Sequence, residues 1–116
     1  MRTHLLAQAL LNDACVDNVA FYRRMLEQVP GNEIEDDLWR KVVGLAQACS
    51  PEQREVLLAF ARQVAIDAVS TVCGVLDGTT PLGGRLAAFS LIDGDGQQHA
   101  GSMQDEFLSI ADRQQP

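Results

Sequence analysis

Residues 50–78 read SPEQREVLLAFARQVAIDAVSTVCGVLDG, and the fold turns on them. Ser50 stands where an N-cap belongs, and Pro51 follows at the first helical position, where its missing N–H costs nothing. Gln53 completes a capping box. Asp77-Gly78 closes the segment, because Gly accepts the left-handed C-terminal conformation and Thr79-Thr80-Pro81 cannot readily continue a helix. Between these ends, Leu57, Ala61, Val64, Ala68, Val72 and Val75 mark one face. Leu58, Phe60, Ala65, Ile66, Val69, Cys73 and Leu76 carry the apolar surface most of the way round. Only Gln63, Asp67, Ser70 and Gly74 form a narrow polar stripe, so the expectation is a long central helix packed on several sides.

Upstream, Leu5, Leu6, Ala9 and Leu10 centre on one helical face, whereas Cys15, Val19, Tyr22, Leu26 and Val29 lie on another, rotated by roughly 140°. One straight helix cannot bury both against one partner, and Asn12-Asp13 sits at the phase change, which predicts two segments or a kink there. Pro30-Gly31 ends this part. Asn32 with Glu35 gives a capping-type start to the next helix, reinforced by Glu33, Asp36 and Asp37. Ile34, Leu38, Val42, Leu45 and Cys49 then step along one stripe, with Trp39 and Val43 at its shoulder, which predicts a helix lying on a core.

Downstream, the glycines of Gly78 to Gly84 let the chain turn away from the central helix. Arg85 to Ile92 and Gln97 to Gly101, on either side of Asp93-Gly94-Asp95-Gly96, alternate as a β-hairpin does. Ser102 with Asp105 begins a short final helix with Met103, Phe107, Ile110 and Ala111 on one face, and residues 114–116 fray. The fold class expected is mainly α: one domain over residues 1–116, a helical bundle around a long central helix, with a small C-terminal β-hairpin that puts it at the margin of α+β.

Sixteen acidic against nine basic residues give a net charge of -7, which opposes approach to nucleic acid or to an anionic membrane. The adjacent basic pairs Arg23-Arg24 and Arg40-Lys41 make no groove. Cys15, Cys49 and Cys73 are odd in number and set among aliphatic residues, as reduced buried thiols are, so a cytoplasmic location is expected. The N-terminal apolar run, broken by Gln8, reads as a helix rather than a targeting segment. No stretch approaches the ~20 apolar residues of a membrane span.

The motifs that resemble chemistry fail on their remaining positions. Asp93-Gly94-Asp95-Gly96 starts like a calcium loop, but Gln98 and Gln104 occupy the positions of its required Gly and Glu. The segment Gly78 to Arg85 has phosphate-loop glycine spacing, but Gly84-Arg85 replaces Lys-Ser/Thr. His4 and His99 have no ligand-spaced neighbours, and His99 is expected to be exposed on an edge strand. Asp67 shares its polar stripe with Gln63 and Ser70, which favours solvent or a hydrogen bond over catalysis. No catalytic residue, cofactor site or metal site is therefore expected. The acidic run Glu33, Glu35, Asp36 and Asp37 serves a helix start and is also the surface most suited to a basic partner.

Val75-Leu76-Asp77-Gly78 at the end of a long apolar helix, then Phe89-Ser90-Leu91-Ile92, then Gly101 to Leu108, resembles small uncharacterised bacterial domains of an immunity-like type over about half of the chain. That resemblance implies a protein that neutralises a partner toxin. The residues themselves point to a non-enzymatic, acidic protein-protein interaction module that uses charge to select its partner. Three alternatives differ in kind: an immunity protein, a small enzyme or ligand-binding protein with a site near Asp67 and His99, and a homo-oligomeric structural protein that buries the apolar N-terminal stripes between copies.

Overall fold

The capping box at Ser50 forms: the Gln53 amide donates to Ser50 Oγ at 3.1 Å and the Ser50 amide donates to Gln53 Oε1 at 2.8 Å. From it runs one continuous helix, Pro51–Asp77, which ends where Gly78 takes φ 79°. The computed structural model describes residues 1–99 and 101–114, so Ala100 of the expected hairpin and the last two residues of the expected frayed end lie outside the described residues. The protein is mainly α. In chain order the helices are α1 (Thr3–Leu10), α2 (Asp17–Gln28), α3 (Asp37–Gln47), α4 (Pro51–Asp77) and α5 (Met103–Arg113).

The junction of α1 and α2 is neither a break nor a capped start. A π-helical stretch, Leu11–Val16, joins them with helical backbone angles on both sides, so residues 3–28 form one rod. The cause is the apolar spacing. Ala7, Leu11 and Cys15 are buried and Val19 is half-buried, three successive steps of four residues. On an ideal α-helix those steps drift by about 120°, and the wider π turns return them to one side. Leu5, expected to face the core, is exposed instead.

Two cores result. Ala7, Leu11 and Cys15 pack with Ile66 of α4 and with Phe107, Ile110 and Ala111 of α5. At the other end, Leu26 packs with Ile34, Val43, Ala46 and Leu58. Asp36, not Asn32, caps α3, accepting from the Trp39 amide at 2.9 Å, and Gly31–Glu33 is only a short 3-10 turn. Among the described residues there is no β-strand: the expected hairpin reduces to one isolated bridge, Ile92 with Gln98, while another, Leu82 with Arg85, closes the Gly83-Gly84 turn before it. The turns form as expected, since Gly83 and Gly84 both have positive φ and the Asp93 turn closes through Gly96 N to Asp93 O at 3.0 Å. The flanking arms do not extend into strands, because Ala87, Ala88 and Gly101 supply little cross-strand packing and a lone two-stranded ribbon is marginal.

The radius of gyration is 17.2 Å, with extents of 47 × 30 × 24 Å. A compact chain of this length has a radius of gyration of about 13 Å. The excess comes from α4, which bridges two cores that do not merge along its middle.

Candidate functional site: an open apolar face on the central helix

The helix α4, expected to be packed on several sides, leaves one of its apolar sides open. Its buried residues are Leu58, Ile66, Ser70, Cys73 and Gly74, whereas Leu57, Val64 and Val72 are exposed and Phe60 is 67% exposed. The same exposure occurs on α3. Leu38 and Leu45, central to the expected core stripe, are 68% and 62% exposed, while Val43 and Ala46 are buried. Parts of both regular apolar stripes thus face outward: Leu38 and Leu45 on α3, and Leu57, Val64 and Val72 on α4.

They line one groove. Leu38, Val42 and Leu45 form one wall, Leu57, Phe60 and Val64 the other, and Tyr22 and Leu26 the floor, enclosing about 690 Å³. Trp39 stands in the groove against Tyr22, ring centroids 5.2 Å apart, and Phe21 packs edge-on to both rings. Towards the C-terminal half of α4 a second hollow, about 380 Å³, opens between α1 and α4, with Leu6, Leu10, Val69, Val72 and Leu76 in its walls. Four charged groups of α4 are bonded elsewhere in the chain: Arg54 donates to the Ala46 and Cys49 carbonyls, Glu55 pairs with Arg23, Arg62 donates to the Ala111 carbonyl, and Asp67 accepts from Gln63. By length and composition α4 is also able to cross a bilayer, contrary to expectation. An 18-residue window in it has a mean hydropathy of 1.6 and is only 22% buried.

The polar stripe of α4 divides. Gln63 and Asp67 are exposed as expected, but Ser70 and Gly74 are buried. Gln104 of α5 covers them, its side-chain amide donating to Ser70 O at 3.0 Å and Ser70 Oγ at 3.2 Å.

His99 is not on an exposed strand; it is 1% exposed. Its Nε2 lies 2.9 Å from Asp93 Oδ2 and its Nδ1 lies 3.0 Å from Thr3 Oγ1. The Asp93 carboxylate can only accept, so in the neutral ring Nε2 donates to it and Nδ1 accepts the Thr3 hydroxyl proton. The hydrogen bond from His99, then those from the Met1 α-amine and the Gln97 amide, hold the Asp93 carboxyl far below its ordinary range. A Thr-His-Asp relay has the membership of a hydrolytic triad, but the ring is enclosed and no principal cavity is lined by its members. It clamps the start of α1 to the Asp93 turn.

Among the described residues Asp67 and His99 have no common partner, and the Gly78 loop bonds back to α4 through the Thr79 and Thr80 amides on Gly74 O. Among the described residues no three His, Cys, Asp or Glu side chains converge as metal ligands do. Burial pushes the Cys15 and Cys73 thiols upward, away from nucleophilic use. Glu33, Glu35, Asp36 and Asp37 are all exposed, yet Asp36 is spent as a cap and Asp37 pairs with Arg40 and Lys41. The open apolar face is the feature that sequence patterning does not disclose. Its signal is the regularity of the two stripes, which a buried core would produce equally well. Compared with known proteins, the chain matches no family model, no curated protein and no solved structure.

Proposed function

We propose that this chain is a non-enzymatic helical binding module whose working surface is the apolar face shared by α3 and α4. The observation that carries the reading is that Leu38 and Leu45 of one regular stripe and Leu57 and Val64 of the other are exposed around one groove. A large exposed apolar patch with polar borders marks an interaction surface, and an open trough between two helices suits the apolar face of another helix. Glu33, Glu35, Asp36 and Asp37 immediately precede Leu38 and form part of the charged border, which tunes partner choice around an apolar centre. The reading includes action in the reducing cytoplasm, in keeping with three unpaired thiols.

A photo-cross-linking residue replacing Phe60, with the exposed Asp13 position as control, tests this in the native host. A discrete protein adduct is expected from position 60 and not from position 13; equal labelling, or none, overturns the reading. Toxin neutralisation is the narrower form of the same function, favoured by the exposure of Glu33 and Glu35, which make no ion pair among the described residues. Under it the partner is basic and the complex weakens steeply as salt rises. Docking dominated by the apolar face holds or tightens instead.

A further inference from the structure

We propose that residues 86–91 form a lid on the apolar hollow between α1 and α4, with Phe89 as the side chain that fills the hollow and the buried Thr3–His99–Asp93 relay as the latch that keeps the lid beside it. The inference goes beyond the binding-module reading and uses a different stretch of α4.

Four parts of the chain build the hollow. Leu6 and Leu10 of α1 and Val72 and Cys73 of α4 line it, and Leu91 and Met103 add two further sides around about 380 Å³. No charged or amide side chain is among its walls, so water within it gains little. Beside it runs a segment that suits water equally poorly: Leu86 is 63% exposed and Phe89 44%. Among the described residues, no backbone hydrogen bond holds residues 86–90 to the rest of the chain. A shift of this stretch therefore breaks none, and it takes apolar surface of both lid and hollow out of water.

Phe89 is the side chain within reach. It stands two residues from Leu91, whose side chain lines the hollow, a separation of at most about 7 Å along the chain. In extended chain, residues two apart point to one side. Ala87 and Leu91 are half-buried, whereas Leu86, Ala88 and Ser90 are exposed. Phe89 shares the alternation of the half-buried pair and yet stays exposed, next to open volume.

The ends of the lid are pinned. Upstream, the Thr79 and Thr80 amides each donate to Gly74 O at 3.0 Å, and Gly83 and Gly84 follow with positive φ and open space around them, a pivot free of collisions. Downstream, His99 is the node. Its amide donates to Leu91 O at 2.8 Å, its Nε2 lies 2.9 Å from Asp93 Oδ2, and its Nδ1 lies 3.0 Å from Thr3 Oγ1. Thr3 opens the helix that carries Leu6 and Leu10. One buried ring thus joins the α1 wall of the hollow to the Leu91 wall and fixes the point from which Phe89 swings.

Cys73, in the wall of the hollow, supplies the probe. In a C49S background, F89C and S90C place a thiol at neighbouring positions on opposite sides of one stretch. Diamide then oxidises thiols that meet, and a disulfide needs Cα atoms within about 7 Å. F89C is expected to link to Cys73 about tenfold faster than S90C does, with peptide mapping identifying the pair. T3V removes the latch hydroxyl and is expected to slow the F89C linkage several-fold, while the fully buried Cys15 stays shielded from N-ethylmaleimide and reports an intact core. Equal rates for F89C and S90C, or linkage of neither, overturn the lid. An unchanged F89C rate in T3V, or a Cys15 that T3V makes reactive, overturns the latch. Phe60 lies outside this hollow, so its cross-link tests the binding module separately.

Discussion

Asp77, the last residue of α4, caps a helix that starts 26 residues later: its Oδ1 accepts from the Met103 amide at 3.1 Å and its Oδ2 from the Gln104 amide at 2.9 Å. Ser102, in the cap position itself, makes no side-chain cap bond. The carboxylate therefore satisfies the first amides of α5 and ties its start to the end of the central helix. D77A is expected to cost about 1–2 kcal/mol in urea unfolding, whereas S102A stays within about 0.5 kcal/mol of wild type. Equal losses in the two variants would show that the cap is not supplied from α4.

Gly74 and Gly44 are both helical and should respond to alanine with opposite signs. A Cβ at Gly74 would crowd Thr80 Oγ1 and fall 2.8 and 2.9 Å from the Gln104 side-chain nitrogen and oxygen. Relief requires Gln104 to leave Ser70, and the lost bonds outweigh the ~1 kcal/mol that alanine adds to helix propensity. G74A is thus expected to lose about 1–2 kcal/mol net. At Gly44 an added methyl group would meet nothing within 4 Å, so G44A is expected to gain about 0.5–1 kcal/mol. Thermal midpoints that move in the same direction for both would contradict the close joint at Gly74.

Acid should loosen the clamp on α1. The Asp93 carboxyl is depressed from its ordinary 3.8, chiefly by His99 and then by the Met1 amine and the Gln97 amide. A carboxyl depressed in the folded state contributes stability that is complete above its unfolded value and is lost as pH falls through the folded one. Unfolding midpoints followed from about pH 6 to about pH 2 should show D93N below wild type at the upper end, with the gap closing below the ordinary carboxylate range. A gap that stays constant across that range would remove the linkage.

What was legible in the sequence was local. The Ser50, Pro51 and Gln53 start and the Gly78 stop of α4 depend on neighbours within four residues, and both ends form where their chemistry puts them. Orientation was not legible, because Leu57, Val64 and Val72 have the same periodicity whether the surface they meet lies in the same chain or another. The π stretch was legible in principle, from the steps of four between Ala7 and Val19, but grouping Leu5 with Leu6 hides that spacing. His99 was beyond reach. Its burial depends on Thr3, 96 residues away, and no local pattern announces such a partner.

Two phenylalanines separate the core of the chain from its open face. Phe107 is fully buried among α1, α4 and α5 residues, so F107A should cost about 3–5 kcal/mol at any protein concentration. Phe60 is 67% exposed, and F60A removes little that folding alone had buried. Its cost in urea unfolding of the isolated chain should stay within about 0.5 kcal/mol. Under the binding-module reading the loss from F60A appears in the complex instead, because a partner that binds only the folded chain stabilises it and the variant forfeits that gain. An F60A deficit as large as that of F107A would place Phe60 in the core rather than on a working surface.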